Sequence, residues 1–193
     1  MQKTLLTLLF LLVAGGCVYI WAGAKQYTIP TTYAASHTLN APTSDTITRP
    51  PTISAAFIDR VLVAAGSPAQ GIGQTMYDQG VTYGIDPVFA LAFFHHESTF
   101  GLRGVAVVTL SIGNIRCTTG WRCDPSGGYR AYSFWRASVA DWYALMKTVY
   151  IAEGRTTVAT IIPKYAPQMD HNDEGAYIQG VMADVIRWRG GQL

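Results

Sequence analysis

Apolar positions recur at helical spacing through most of the chain after residue 53, and this pattern predicts a mainly α-helical domain. In the first predicted helix, residues 54–65, the apolar side chains Phe57, Ile58, Val61 and Leu62 share one face. Capping residues and glycines predict where the other helices begin and end. The further predicted helices cover 68–83, 87–99, 133 to about 153 with Ser133 as its cap, 156–163, and a last one capped by Asn172 or Asp173 that runs through Trp188.

The helical pattern is interrupted between Gly104 and Arg130. This stretch contains five glycines and a short β-branched run at 105–109. Glycine clusters are typical of turns, and β-branched runs favour strands, so we predict a loop with a short β-hairpin. The expected fold class is therefore mainly α, of the α+β type, with a small hairpin lobe.

An almost uninterrupted apolar run, 5–24, lies near the N-terminus between Lys3 and Lys25. Its length favours an uncleaved transmembrane anchor, because a cleaved signal peptide has a shorter core of ~7–15 residues. A cleaved signal and a lipoprotein signal at Cys17 remain alternatives. Each of the three places the following domain outside the cytoplasm, either at the cell membrane or secreted.

The domain boundaries follow from composition. Residues 1–25 form the predicted anchor or signal segment, and 26–52 are rich in Thr, Ser, Pro and Ala, which is typical of a linker. The folded domain is expected at 53–193. Cys117 and Cys123 are close in sequence, and outside the cytoplasm such a pair predicts a small disulfide loop.

The charge pattern narrows the classes of partner. The formal net charge is only +2, yet five arginines and a single acid, Asp124, lie between residues 103 and 136. A basic loop region suits an anionic substrate. No basic helix or nucleic-acid motif is present, so nucleic acid is not expected as a partner.

Glu97 is the strongest candidate for chemistry. It ends an apolar run that starts at Asp86-Pro87, which reads as an N-cap followed by the first helical residue. Glutamate occurs elsewhere only at Glu153 and Glu174, neither in an apolar context. A carboxyl held against aromatic rings is desolvated, which favours its protonated form and suits a general acid.

The neighbouring histidines do not complete a metal motif. The segment starting His96-Glu97 resembles the zinc-protease helix, but Phe100 stands where the second histidine is needed. His95 and His96 are adjacent, so their side chains leave the helix about 100° apart. We therefore expect no metal and no organic cofactor.

With these residues in place, the domain resembles the glucosaminidase branch of the lysozyme-like superfamily, over about residues 54–189. Four segments carry the resemblance, by their order and spacing. They are the helix from Ile85-Asp86-Pro87 to His96-Glu97-Ser98, the Asn-containing segment 111–116, the aromatic stretch 129–135, and the segment 162–167 that contains Tyr165. In that family, an apolar-Gly-apolar-Lys run usually follows the Asn, and this chain departs from it.

The resemblance implies an endo-β-N-acetylglucosaminidase that cleaves β-1,4 bonds in peptidoglycan glycan strands, acting as a monomer. It implies Glu97 as the general acid and Tyr165 near the reacting sugar. Further residues are implied to line the cleft or to stack on sugars. These substrate-binding candidates are Ser98, Asn114, Tyr129, Tyr132 and Trp135.

The second carboxylate of such an enzyme is the open question. Two-carboxylate glycosidases place the two carboxyl groups ~5–5.5 Å apart when they retain the configuration of the sugar and ~6.5–9.5 Å apart when they invert it. In the predicted lobe, Asp124 is the one acidic residue. Asp141, Asp170 and Asp173 are weaker candidates. The alternatives are assistance by the substrate's own N-acetyl group, a lytic transglycosylase, or a non-catalytic wall-binding module that kept the fold.

Overall fold

A computed structural model describes residues 45–193 and two two-residue strands near the N-terminus. The strands, β1 (Val13–Ala14) and β2 (Cys17–Val18), pair antiparallel. The chain divides into two compact units, Met1–Ala41 and Pro42–Leu193. The rest of the predicted anchor and most of the linker lie outside the described residues. Among the described residues, no helix is long and apolar enough to cross a membrane.

Residues 45–193 confirm the expectation of a mainly α-helical domain. Seven α-helices account for about half of this part of the chain. They are α1 (Ala55–Ala64), α2 (Gly73–Tyr83), α3 (Pro87–Ser98), α4 (Ala106–Thr109), α5 (Trp135–Leu145), α6 (Val158–Tyr165) and α7 (Glu174–Arg189). A π-helix, Met146–Ile151, continues α5, and a 3₁₀ turn, Gln168–Asp170, precedes α7.

Most helix ends lie where the capping residues predict them. Ser54 accepts a hydrogen bond from the backbone of α1, and Asp173 does the same for α7. The start of α5 differs, because Phe134 takes the capping position and makes no side-chain cap, so the prediction of Ser133 is wrong.

The region from Gly104 to Arg130 differs in detail from the expected hairpin. The β-branched run at 105–109 forms the helical turn α4, closed by hydrogen bonds from the Thr109 backbone and hydroxyl to the Val105 carbonyl. Further along, the chain folds back through isolated antiparallel bridges, Arg116 with Tyr129 and Cys123 with Arg130. Within residues 45–193, no strand longer than such a bridge is present.

A disulfide bond and a buried ion pair stabilise the folded-back segment. Cys117 and Cys123 form the predicted disulfide, with Cα atoms 5.7 Å apart. Arg130 is buried and donates two hydrogen bonds, of 2.8 and 3.0 Å, to the Asp141 carboxylate on α5. The Tyr132 hydroxyl donates to the same carboxylate at 2.5 Å. Asp141 therefore anchors the lobe, which is a structural role.

Helix α3 forms the centre of the domain. Its residues from Val88 to Phe94 are all fully buried, so the helix is apolar on every side. It packs against α7 and α2, while α2 also packs against α1 and α5. The large core side chains Trp142, Tyr143 and Trp188 come from α5 and α7. Only the C-terminal turn of α3 reaches the surface.

The N-terminus of α3 is fixed by the buried carboxylate of Asp86. Its Oδ1 caps the helix at the Val88 N–H, and its Oδ2 receives the Arg189 guanidinium at 2.9 Å. Both the backbone and the hydroxyl of Thr52 also donate to it. Ile47, which lies five residues before Thr52 in the predicted linker, is fully buried. The last part of the predicted linker therefore belongs to the folded unit.

Replacing Asp86 tests this anchor. In Asp86→Asn the uncharged amide leaves the Arg189 guanidinium without its buried partner, so we expect the free energy of unfolding to fall by about 2–4 kcal/mol. Chemical denaturation measures the loss. The matched control is Asp78→Asn at an exposed helical position, which should change stability by less than about 0.5 kcal/mol. Equal effects of both substitutions would contradict the anchoring role.

Candidate active site

Glu97 lies on the last turn of α3, where that helix emerges from the core. The helix ends because Thr99 and Phe100 take left-handed backbone conformations, with φ of 49° and 57°. The buried Ser98 hydroxyl holds this reversal: it donates to the Ile112 carbonyl at 2.7 Å and accepts from the Gly101 N–H at 2.8 Å. Ser98 is therefore a structural neighbour of Glu97, not a wall of the cleft.

Two side chains from other elements hold Glu97. The Tyr177 hydroxyl on α7 donates to Glu97 Oε1 at 2.6 Å. Asn114 donates its amide N–H to the Glu97 backbone carbonyl, also at 2.6 Å. The first contact orients the carboxyl, and the second fixes the end of the helix beneath it.

Burial raises the pKa of Glu97 from its ordinary value of 4.5 to about 7. Desolvation disfavours the ionised form, and it outweighs the opposing hydrogen bonds from Tyr177 and Asn114 and the charge of Arg116. At neutral pH, Glu97 therefore holds a transferable proton on part of the molecules. This is the property that a general acid requires.

The tight turn at Gly113 brings Asn114 into contact with the last turn of α3, which carries Glu97. Gly113 lies so close to its neighbours that an added Cβ would lie 2.7 Å from the Trp142 ring and 3.2 Å from the Tyr165 hydroxyl. The Tyr165 hydroxyl donates to the Gly113 carbonyl at 2.5 Å and accepts from Trp142 Nε1 at 3.2 Å. Asn114 itself has a φ of 44°, a conformation that asparagine tolerates better than most residues.

Glu97 opens into a cleft of about 360 Å³, a size typical of small-ligand sites. Of the predicted site residues, Glu97, Asn114, Tyr129 and Tyr165 share this cleft. The remaining lining residues come from the loop lobe, from α5 and its π-helical extension, and from the segment 164–172. They are Ile115, Arg116, Thr118, Arg130, Leu145, Tyr150, Lys164, Ala166, Asp170 and Asn172.

Two cationic side chains of the cleft lie beside aromatic rings. The Arg116 guanidinium lies 5.0 Å from the centre of the Tyr129 ring and forms an ion pair with Asp170 at 2.9 Å. Lys164 lies 5.6 Å from the centre of the Tyr150 ring. Rings beside cations offer both a stacking surface and hydrogen-bond donors, which suits a polar or anionic chain.

Besides Ser98, three predicted site residues lie outside the lining of this cleft. The Asp124 carboxylate accepts hydrogen bonds from the Ser126 hydroxyl at 2.5 Å and the Tyr129 N–H at 2.7 Å, which lower its pKa. It therefore shapes its own turn. Tyr132 is bonded to Asp141, as described above, and the Trp135 ring packs against Gly101.

The sequence patterns did not single out Tyr177 or Tyr150. Tyr177 approaches Glu97 because α7 packs closely against α3, and this approach depends on Gly180, where an added Cβ would overlap the His96 ring. A glycine three residues after a tyrosine on a helix marks a face that can pack closely. Tyr150 reaches the cleft from the π-helix, which no sequence pattern indicated.

His95, His96 and Asp184 form a cluster beside Glu97, with ligand atoms within 4.8 Å of one another. His95 Nδ1 lies 2.5 Å and His96 Nε2 3.7 Å from Asp184 Oδ2. Arg187 donates to the other carboxylate oxygen at 2.8 Å. Both oxygens are thus engaged within the protein, and the hydrogen bond between His95 and Asp184 ties α3 to α7.

The fold and the cleft together define a class of site: a protonatable carboxyl at the base of an open groove in a mainly helical domain. The groove presents tyrosine rings and cationic side chains around that carboxyl. No protein-family model and no curated protein matches this chain.

Removing the ionisable group tests the desolvation of Glu97. Because burial raises the pKa of Glu97 in the folded state, the folded protein favours the protonated form of this residue. The stability that protonated Glu97 contributes is fully present below about pH 4.5 and is lost as the pH rises through about 7. Glu97→Gln keeps a hydrogen-bond acceptor for Tyr177 without the charge. We therefore expect the variant to be more stable than wild type above pH about 7, by an amount on the order of 2 kcal/mol.

The advantage of Glu97→Gln should shrink as the pH falls and vanish below about pH 4.5. Denaturation curves over this range measure it. Glu153→Gln is the matched control, since ion pairing with Lys164 lowers the pKa of the exposed Glu153 and reverses the sign of the dependence. A stability difference that does not change with pH would contradict the desolvation of Glu97.

Proposed function

We propose that this protein is a peptidoglycan hydrolase of the endo-β-N-acetylglucosaminidase type, which cleaves β-1,4 bonds of the glycan strand. The observation that carries the proposal is Glu97, a desolvated carboxyl with a pKa of about 7 at the base of an open cleft. A glycosidase needs such a group, because the departing sugar oxygen must receive a proton as its bond breaks.

Glu97 is the proton donor in this mechanism. Its proton passes to the glycosidic oxygen while the bond from that oxygen to the anomeric carbon breaks. Tyr177 is a positioning residue, since its hydroxyl donates to Glu97 Oε1 and so fixes the orientation of the carboxyl group. Burial raises the pKa of the Tyr177 hydroxyl well above its ordinary value, so this hydroxyl remains a donor at neutral pH.

The composition of the cleft supports a glycan as the substrate. Sugars present apolar ring faces to aromatic side chains and hydroxyl or amide groups to polar ones, and Tyr129, Tyr150 and Asn114 offer both kinds of contact. The cations Arg116 and Lys164 suit the carboxylates of muramic acid and of the wall peptides. A membrane anchor before the domain would hold the enzyme beside this substrate.

A lytic transglycosylase is the second candidate. Asp124, the predicted second carboxylate, is bonded into its own turn and does not line the cleft, and this favours a reaction that needs one carboxyl only. In that reaction a hydroxyl of the substrate attacks the anomeric carbon, and an anhydro-muramic end is formed.

Digestion of purified peptidoglycan by the full-length chain in detergent tests the proposal. We expect wild type to release fragments with reducing N-acetylglucosamine ends, identified by mass spectrometry. Glu97→Gln should reduce the rate by at least about 10³-fold, because the amide cannot donate the proton to the leaving oxygen. Glu153→Gln should retain wild-type activity.

The products separate the candidate functions. Anhydro-muramic ends would identify the protein as a lytic transglycosylase instead of a hydrolase. Binding to the wall without any cleavage would identify it as a non-catalytic binding module. Equal activity of wild type and folded Glu97→Gln would remove Glu97 as the acid and overturn the proposal.

The pH dependence gives an independent test of the acid. Since Glu97 must be protonated, kcat/KM should fall as the pH rises above about 7. In Tyr177→Phe the carboxylate loses a hydrogen bond that favours ionisation, so this fall should move to higher pH, by about one unit. A pH–rate profile that is unchanged in Tyr177→Phe would show that this contact does not act on the catalytic acid.

A further inference from the structure

We propose that Asp170 is the second catalytic carboxylate of this site, the general base that activates the attacking water. The inference rests on the proposed glycosidase function and deepens it. It assigns a residue to the role that Asp124 fails to fill, and it determines the stereochemistry of the reaction.

The cleft itself selects Asp170. Among the residues that line it, only Glu97 and Asp170 carry carboxyl groups. They come from different elements, the C-terminal turn of α3 and the 3₁₀ turn before α7, and both line the same cleft. Asp173, the other acid of this segment, caps α7 at the Ala176 N–H and is absent from the lining.

The two carboxyl groups have opposite environments. Glu97 is desolvated beneath Tyr177 and holds its proton near neutral pH. The Asp170 side chain is 45% exposed and forms an ion pair with Arg116 at 2.9 Å. A buried proton donor and a solvent-accessible carboxylate in a single cleft are the kind of pair that acid–base cleavage of a glycoside uses.

Arg116 links the two groups. Its positive charge lowers the pKa of Glu97, against the larger effect of burial, and its Nη2 is bonded to Asp170 Oδ2. The guanidinium therefore lies within electrostatic reach of both carboxyls. Only one oxygen of Asp170 is engaged by Arg116, and the other oxygen is free to accept the proton of a water.

The segment that carries Asp170 is held in shape by its own hydrogen bonds. The backbone N–H of Asp170 donates to the Pro167 carbonyl at 2.9 Å, and the Asn172 amide donates to the same carbonyl at 3.2 Å. Glu174 accepts from the Gln168 N–H at 2.8 Å. A base presented on such a closed turn is positioned before the substrate binds.

The chemical step balances within the site. A water oxygen bonds to the anomeric carbon as the bond from that carbon to the leaving oxygen breaks, and the leaving oxygen takes the proton of Glu97. The water gives one proton to the Asp170 carboxylate. Since the water attacks the face opposite the leaving group, a β-linked strand yields an α-anomer first, with inversion of configuration.

The test is the rate and stereochemistry of cleavage of peptide-free glycan strands by the full-length chain in detergent. Proton NMR of early time points should show the α-anomer at the new reducing ends of the wild-type reaction. Asp170→Asn should lower kcat by about 10²- to 10³-fold with little change in KM, because the amide cannot accept the proton. Asp124→Asn, the matched control in the same region, should keep wild-type kcat.

Chemical rescue distinguishes a base from a merely structural residue. In Asp170→Ala, azide needs no base to attack, so added azide should restore turnover and yield a glycosyl azide. Unfolding midpoints of both Asp170 variants should stay near that of wild type, since the side chain is exposed and on a surface loop.

The outcomes separate this inference from the function on which it rests. Full activity of Asp170→Asn, or a β-anomer as the first product, would overturn the role of Asp170 while Glu97→Gln remained inactive. The β-anomer would show retention of configuration, which requires a nucleophile, either the substrate's N-acetyl group or a carboxylate, in place of a directly attacking water. Absence of any cleavage by wild type would instead overturn the proposed function.

Discussion

The complete burial of α3 is the constraint on which the rest of this domain depends. A helix that is apolar on all sides must be covered everywhere, and α2 and α7 cover it. A carboxyl group lies at each end of this helix, the buried Asp86 at the start and Glu97 at the end. The helix dipole favours an anion at the first position and disfavours one at the second.

The structure compensates these two carboxyl groups differently. Asp86 receives a guanidinium, a hydroxyl and backbone N–H groups, so its charge is fully matched and serves only to join segments of the fold. The Glu97 carboxyl receives a hydrogen bond from the neutral Tyr177 hydroxyl and the weak influence of the Arg116 charge, so burial dominates and its proton is retained. A carboxyl group is thus ionised and structural at one end of the helix, and it holds its proton near neutral pH at the other.

The sequence was sufficient to predict what depends on local pattern. Apolar periodicity and capping residues predict the main helices, and the apolar context of Glu97 indicates its desolvation. Contacts between distant segments were not predictable in this way. Tyr177 is 80 residues from Glu97, and its role depends on how closely α7 approaches α3. Asp124 and Asp170 are both acids in turns, and only the fold determines which of them faces the cleft.

The change from α-helix to π-helix after Leu145 has a consequence for how this site can vary. A π-helical turn contains one residue more than an α-helical turn and is often found at functional sites. Leu145 and Tyr150, five positions apart, both line the cleft, as the wider turn allows. Deleting a single residue between them would place these two side chains four positions apart, and residues at that spacing share one face of an ordinary α-helix. The wall of the cleft that they form would therefore survive a one-codon deletion at this point, because an α-helical turn would take the place of the wider one.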